Sequence, residues 1–249
     1  MKHPHTVLGA LVAGLAAGAP GLVAAAEACV AASPRTVVPV VELYTSEGCN
    51  SCPPADRWLS ALKSSPDVVA LAFHVDYWDR LGWKDRYGSA AFTQRQASQL
   101  ASTGARFSYT PQVVVDGQDR KDWPSLRVPA AARPPATIEL SLAREGERVV
   151  ATVTPGPGAP RRLAAYWTVT EQAHVTAVKA GENEGATLRH DFVVREYATV
   201  PPWSARGATP ETLHFTPAGK ADAAHPRSVN LVVVDAATGR PVQALKLAC

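Results

Sequence analysis

Cys49-Asn50-Ser51-Cys52 follows directly on an apolar, β-branched run from Val37 to Tyr44, and this pair of thiols constrains the chain more than any other feature. The run reads as a buried strand. Two cysteines at this spacing can close a small ring and cycle between dithiol and disulfide. A tetrahedral zinc site needs two more ligands, as a second CxxC or a His pair, and the chain has no such spacing. Position 53 is proline rather than histidine, which excludes c-type haem attachment. Thiol–disulfide chemistry therefore leads. Where a helix follows the pair, its free N–H groups and dipole favour a thiolate. Cys49 is then the exposed attacking sulfur, and Cys52, nearer the buried first turn, is the resolving thiol. Pro53 biases Cys52 away from helical angles, so the helix is expected to begin at Pro53.

The N-terminus bears on the compartment. Lys2 precedes a nonpolar stretch from Val7 to Ala26 that ends in three alanines before Glu27. That is the layout of a secretory leader, assigned to residues 1–28. Its glycines, alanines and Pro20 make it weakly hydrophobic for a permanent span. The mature protein is expected in the periplasm or secreted. In such a compartment disulfides persist, and Cys29 and Cys249 lie near the two ends of the mature chain. If paired they form a structural disulfide worth up to about 5 kcal/mol in the chain-entropy model; the alternative is two free thiols, or one lost with the leader. The formal charge of +3 is small and dispersed, which argues against a nucleic-acid partner.

Residues 37–118 alternate strand and helix. Asp56 to Leu62 carries Trp58, Leu59 and Leu62 at helical spacing, with Pro53-Pro54 acceptable only in a first turn. Val68–Val75 is a second strand. Ser89 is a candidate N-cap for a helix through about Ser102, with Phe92, Ala97, Leu100 and Ala101 inward and Gly104 as its stop. Gln112–Val115 is a third strand, closed by the Asp116-Gly117 turn. Alternation of this kind implies an α/β unit with parallel pairing. Residues 119–136, rich in proline and basic side chains, break every period and read as a linker. Residues 137–249 are β-rich: Ile138, Leu140 and Leu142 alternate, as do Leu188, His190, Phe192 and Val194. Val149–Val153, Ala165–Val169 and Val229–Val234 add further strands, suggesting an antiparallel sandwich.

The order strand, CxxC, helix, strand, helix, Thr110-Pro111, strand resembles the thioredoxin superfamily. More narrowly, the segments Glu42 to Asp56, Phe73 to Asp79 with Leu81 to Asp85, and Tyr109 to Gly117 are similar to an exported bacterial family, domain of unknown function 1223. The resemblance implies an α/β thioredoxin-like N-terminal domain followed by a mostly antiparallel β-sandwich-like C-terminal domain. It also implies Cys49 as nucleophile, Cys52 as resolving thiol and Pro111 as a cis proline. Pro124 and Pro129 leave little room for a long final helix of the thioredoxin type.

Other residues carry two readings each. Glu42 lies on the strand leading to Cys49, where the resemblance to thioredoxins implies a buried acid that accepts the resolving thiol's proton; the alternative is a strand-end carboxylate in a hydrogen bond. Glu47 is expected to be solvated. His74 either completes a copper site with Cys49 and Cys52 or is a satisfied structural histidine. Tyr77, Trp78 and Trp83 line an apolar groove or belong to the core. Arg189, His190 and Arg195 are read as solvated charges. The function expected is an exported thiol–disulfide oxidoreductase needing no cofactor beyond its own redox-active Cys49–Cys52 pair, with protein or small-molecule disulfides as partners. The alternatives are a copper-binding metallochaperone and a non-catalytic interaction module.

Overall fold

In the computed structural model, the residues described are 1, 3, 29–128 and 132–249. The leader assigned to residues 1–28 falls almost wholly outside them, as do residues 129–131 of the expected linker. The elements run β1 (Val30–Ala32), β2 (Val40–Thr45), α1 (Pro53–Ala61), β3 (Val69–His74), α2 (Ala90–Ser98), α3 (Leu100–Thr103), β4 (Gln112–Val115) and β5 (Gln118–Asp119). Then come β6 (Ile138–Glu145), β7 (Arg148–Pro155), β8 (Arg162–Glu171), β9 (His174–Ala177) and β10 (Thr187–His190). Last are β11 (Val193–Ser204), β12 (Glu211–Phe215), β13 (Arg227–Asp235) and β14 (Pro241–Leu247).

The α/β thioredoxin-like N-terminal domain expected from the sequence is not what the chain builds. The protein is mostly β, with 42% of the described residues in strands and 15% in helices. The physical reason lies at β3. Its free edge pairs in parallel with β11 at Val193↔Ala72, so strands of the C-terminal half extend the same sheet. The result is an eight-stranded sheet in the order β14-β13-β8-β11-β3-β2-β4-β5. A four-stranded sheet, β1-β6-β7-β12, packs on its β8–β13–β14 end through Ile138, Leu142, Trp167 and Leu231. The β9–β10 hairpin stands apart from both sheets.

β2 is buried along its length, and mostly apolar, because both of its faces are covered. Val41 and Leu43 meet Ala55 and Leu59 of α1, while Val40 and Tyr44 share the opposite face with Phe92 of α2. β2 and β3 pair in parallel, and β4 runs antiparallel beside β2. Asp116 and Gly117 both have positive φ, 50° and 76°, the geometry that lets a two-residue turn join β4 to β5.

Helix ends follow local chemistry. The Ser89 side chain accepts a hydrogen bond from the Ala91 N–H, and the helical run stops at Gly104 with φ 80°. Its buried face differs from the apolar one expected: Arg95 and Gln96 point inward, and Ala97 and Ala101 are exposed. Glu42 on the facing strand draws Arg95 in. The alternation from Leu188 to Val194 is likewise broken, because Phe192 takes φ 58° and separates β10 from β11. Cys29 and Cys249 form a disulfide across 220 positions, tying the segment before β1 to the residue after β14. Among the described residues, no helix is long and apolar enough to cross a membrane.

Candidate functional site

Cys49 and Cys52 form a disulfide at the head of α1. Cys52 is the N-cap residue with helical angles (φ −77°, ψ −36°). Its carbonyl accepts the N–H groups of Ala55 and Asp56, and its own N–H donates to Cys49 O at 3.2 Å. Pro53 and Pro54 supply no N–H, so the helix start offers fewer donors to a Cys49 thiolate than a proline-free turn would. The Cys49 sulfur lies 3.4 Å from Ser51 Oγ.

Cys49 is not exposed as the sequence suggests. Both sulfur-bearing residues are 0% exposed. The cover comes from the loop between β9 and β10. Asn183 Nδ2 donates to Glu47 O at 2.8 Å and to Cys49 O at 3.0 Å, and Glu182 Oε2 accepts the Asn50 N–H at 3.2 Å. Gly48 is held equally closely: a Cβ there would lie 3.0 Å from Trp78 Cβ. Trp78 in turn donates from Nε1 to Thr110 Oγ1 at 2.8 Å. The Thr110–Pro111 bond is cis, and Pro111 enters β4 one residue before the Tyr44↔Gln112 pair, beside the end of β2. Trp78 thus bridges the CxxC turn and the proline loop. With Tyr77 it is partly buried against the core, and Trp83 turns to Glu47.

Glu42 is not brought to the cysteines. It projects from the β2 face opposite α1, where both its oxygens meet Arg95, at 2.6 and 3.2 Å, and Oε1 accepts the Tyr166 hydroxyl at 2.5 Å. Arg95 also reaches Gln99 Oε1 at 2.8 Å and the Tyr44 hydroxyl. An acid already held by a guanidinium on the far face has no route to Cys52.

On the α1 face, Glu47, Asp56, His74, Asp85 and His190 gather in a buried polar cluster. Glu47, expected in water, is fully buried: Trp83 Nε1 donates to its Oε2 at 2.8 Å, and His190 Nε2 lies 3.5 Å from its Oε1. His190, expected to be solvated, is buried between two carboxylates, with Nδ1 4.0 Å from Asp56 Oδ2. His74 Nδ1 lies 2.7 Å from Asp85 Oδ2, and the His74 and His190 rings meet edge to face at 4.9 Å. Sequence signals for this cluster existed only in part: Leu188 and His190 fall on alternate positions of one strand, and Asp56 stands in the first turn of α1. Nothing local showed that the hairpin would fold over the cysteines. Among the described residues, no group of three or more His, Cys, Asp or Glu side chains is disposed to hold a metal ion. The copper set of Cys49, Cys52 and His74 is therefore not assembled.

Burial alone would raise the Asp85 carboxyl, but His74 and the amides of Glu47 and Tyr87 outweigh it and hold it down at about 2. Burial pulls His74 down, and Asp85 more than offsets this, leaving it above its ordinary value. Glu47 is also lowered: burial raises it, and contacts with His190, Thr176 and Trp83 overcome that. The signs follow. Asp85 contributes stability that is present above the ordinary carboxylate value of about 3.9 and lost as pH falls toward 2. The His74 contribution is present below about 6.5 and lost as pH rises through its raised folded value. Urea unfolding between pH 4 and 2 should therefore show a loss of about 2 kcal/mol from this pair. An Asp85→Asn protein should lack that part of the slope.

A CxxC disulfide heading a helix, capped by a hairpin and backed by buried acids and histidines, defines a disulfide-bearing, mostly β protein. The profile described as protein of unknown function (DUF1223) matches residues 40–234, and the chain belongs to that family. The chain is similar to the crystal structure of protein AGR_C_4864 from Agrobacterium tumefaciens, at 25% identity, covering 87% of this chain and 96% of that one with a TM-score of 0.64. It also shares its fold with HBP35 of Porphyromonas gingivalis, at 14% identity over 87% of this chain and 76% of that one, with a TM-score of 0.59. No curated protein matches it.

Proposed function

We propose that the protein is a thiol–disulfide oxidoreductase acting on protein or small-molecule disulfides. The observation that carries this reading is the Cys49–Cys52 disulfide at the head of α1. Pro111 enters the strand next to β2, and Trp78 links the two loops. A cis proline beside a CxxC pair supports this reading. In the reduced protein, the Cys49 thiolate attacks one sulfur of a substrate disulfide. That S–S bond breaks, and its electron pair leaves on the substrate's other sulfur. Cys52 then attacks Cys49 Sγ in the mixed disulfide and expels the first substrate sulfur.

Access requires the hairpin loop to move. The three hydrogen bonds from Asn183 and Glu182 hold it, each worth about 0.5–1.5 kcal/mol net. Loops that admit ligands are drawn from such low-stability segments. The compartment proposed is the periplasm or the cell exterior; the leader-like residues 1–28 and the Cys29–Cys249 disulfide support it. The burial of both cysteines favours a second reading, a fixed disulfide in a non-catalytic interaction module.

Trapping separates the two. Cys52→Ala removes the resolving sulfur, so mixed disulfides with substrate should accumulate on Cys49 and be released by dithiothreitol. Non-reducing gels and mass spectrometry of the adducts measure this. No Cys49 adduct after incubation with insulin or cell extract would contradict the redox reading.

A further inference from the structure

We propose that Asp56, and not Glu42, is the group that exchanges the proton of Cys52. The proposal rests on the oxidoreductase reading above. Cys52 has helical angles, so Asp56 stands at the i+4 position on the same helix face, where Cβ atoms are about 5–6 Å apart. Side chains on a helix lean toward its N-terminus, the direction in which Cys52 lies from Asp56. The Asp56 N–H donates to Cys52 O at 3.1 Å, fixing this turn. Asp56 is 6% exposed.

The groups around it suit proton exchange. On β10, His190 Nδ1 lies 4.0 Å from Asp56 Oδ2, and its Nε2 faces Glu47 at 3.5 Å. Neither His190 nitrogen has a hydrogen-bond partner among the described residues. Thr45 on β2, His74 on β3 and Asp85 before α2 complete the buried surroundings. On the outer side, Asp56 lines a pocket of about 120 Å³ with Arg57, Pro53, Thr187 and Arg189. A proton taken from Cys52 thus has an exit through the gap between α1 and β10. Burial raises the Asp56 pKa, with His190 and His74 opposing, which brings the carboxylate closer to the basicity a thiol proton requires.

After Cys49 has formed the mixed disulfide, the Asp56 carboxylate takes the proton of the Cys52 thiol. The Cys52 sulfur then bonds to Cys49 Sγ, and the bond from Cys49 to the substrate breaks. Its electron pair leaves on the substrate thiolate. The protein is oxidised to the disulfide and the substrate disulfide is reduced. When a partner dithiol reduces the protein, the same carboxyl returns the proton to Cys52.

Asp56→Asn tests this by stopped-flow with an activated small-molecule disulfide. Formation of the Cys49 adduct should keep its rate, while its resolution at pH 7 should slow by about 10²-fold or more. The slow rate should climb about tenfold per pH unit as Cys52 ionises unaided, and Asp56→Glu should restore part of it. Resolution at the wild-type rate and pH profile would overturn the proposal while leaving the oxidoreductase reading intact. No adduct on Cys49 even in Cys52→Ala would overturn both. Should Asp56→Asn fail to fold, infrared difference spectra of the wild-type protein decide. A buried carboxyl that changes protonation between oxidised and reduced states, assigned to Asp56 by selective labelling, is expected; an Asp56 band indifferent to redox state would overturn the proposal.

Discussion

Alanine in place of Cys49 is expected to abolish disulfide exchange and to leave the fold in place. The loss should be complete against the uncatalysed background, because the one thiol set free, Cys52, is buried in the cap position of α1, and Cys29 and Cys249 are bonded to each other. The structural cost is small by comparison. The Cys49–Cys52 disulfide closes a loop of only four residues, for which the chain-entropy model gives about 2 kcal/mol. The same model gives about 5 kcal/mol for Cys29–Cys249, with its separation of 220 positions. Opening the CxxC bond therefore leaves the clasp between the chain ends intact. Insulin-disulfide reduction measures the activity, and circular dichroism with urea unfolding measures the fold. Retained exchange in Cys49→Ala would remove Cys49 from its proposed role.

Arg95→Met is expected to destabilise the protein by about 3–5 kcal/mol, the range for removing one partner of a buried ion pair. Arg95 is buried against Phe73, Tyr166 and Tyr197, with its guanidinium carbon 4.4, 4.8 and 5.2 Å from their ring centres. Removing its charge leaves the Glu42 carboxyl buried without its ionic partner. Glu42→Leu alone should cost a similar amount, because it strands Arg95 instead. The double variant should lose much less than the sum of the two, since a buried pair exchanged for apolar side chains of like volume is often nearly neutral. Urea unfolding of the three variants tests this. In all of them the folded protein should keep its rate of exchange at Cys49, since the pair lies across β2 from α1. A collapse of exchange in a folded Glu42→Leu protein would return Glu42 to the proton-transfer role.

The parts of the fold legible in the sequence are those fixed by neighbours along the chain. β2 shows as a mostly apolar run because both of its faces are covered, and β4 shows with the Asp116-Gly117 turn behind it. Ser89 and Gly104 bracket the helical run because capping is a contact between near residues. What could not be read depends on partners far away in sequence. The Val193↔Ala72 pairing, which joins both halves into one sheet and defeats the α/β expectation, spans more than a hundred positions. So does the hairpin that covers Cys49 and turns Glu47 and His190 from surface charges into buried ones. Arg95 depends on a distant partner too: it enters the core because Glu42 stands opposite it. The cysteine pair itself was evident, whereas its cover and its polar backing were not.

The oxidoreductase reading requires the Cys49–Cys52 bond to open and close in the folded protein. Its most direct test is to treat the native protein at pH 7 with dithiothreitol, quench with iodoacetamide without denaturant, and locate the adducts by mass spectrometry. The result expected is rapid labelling of Cys49, slower labelling of Cys52 and an intact Cys29–Cys249 disulfide. Labelling of Cys49 only after unfolding in urea would contradict the claim and leave a structural disulfide beneath a fixed hairpin.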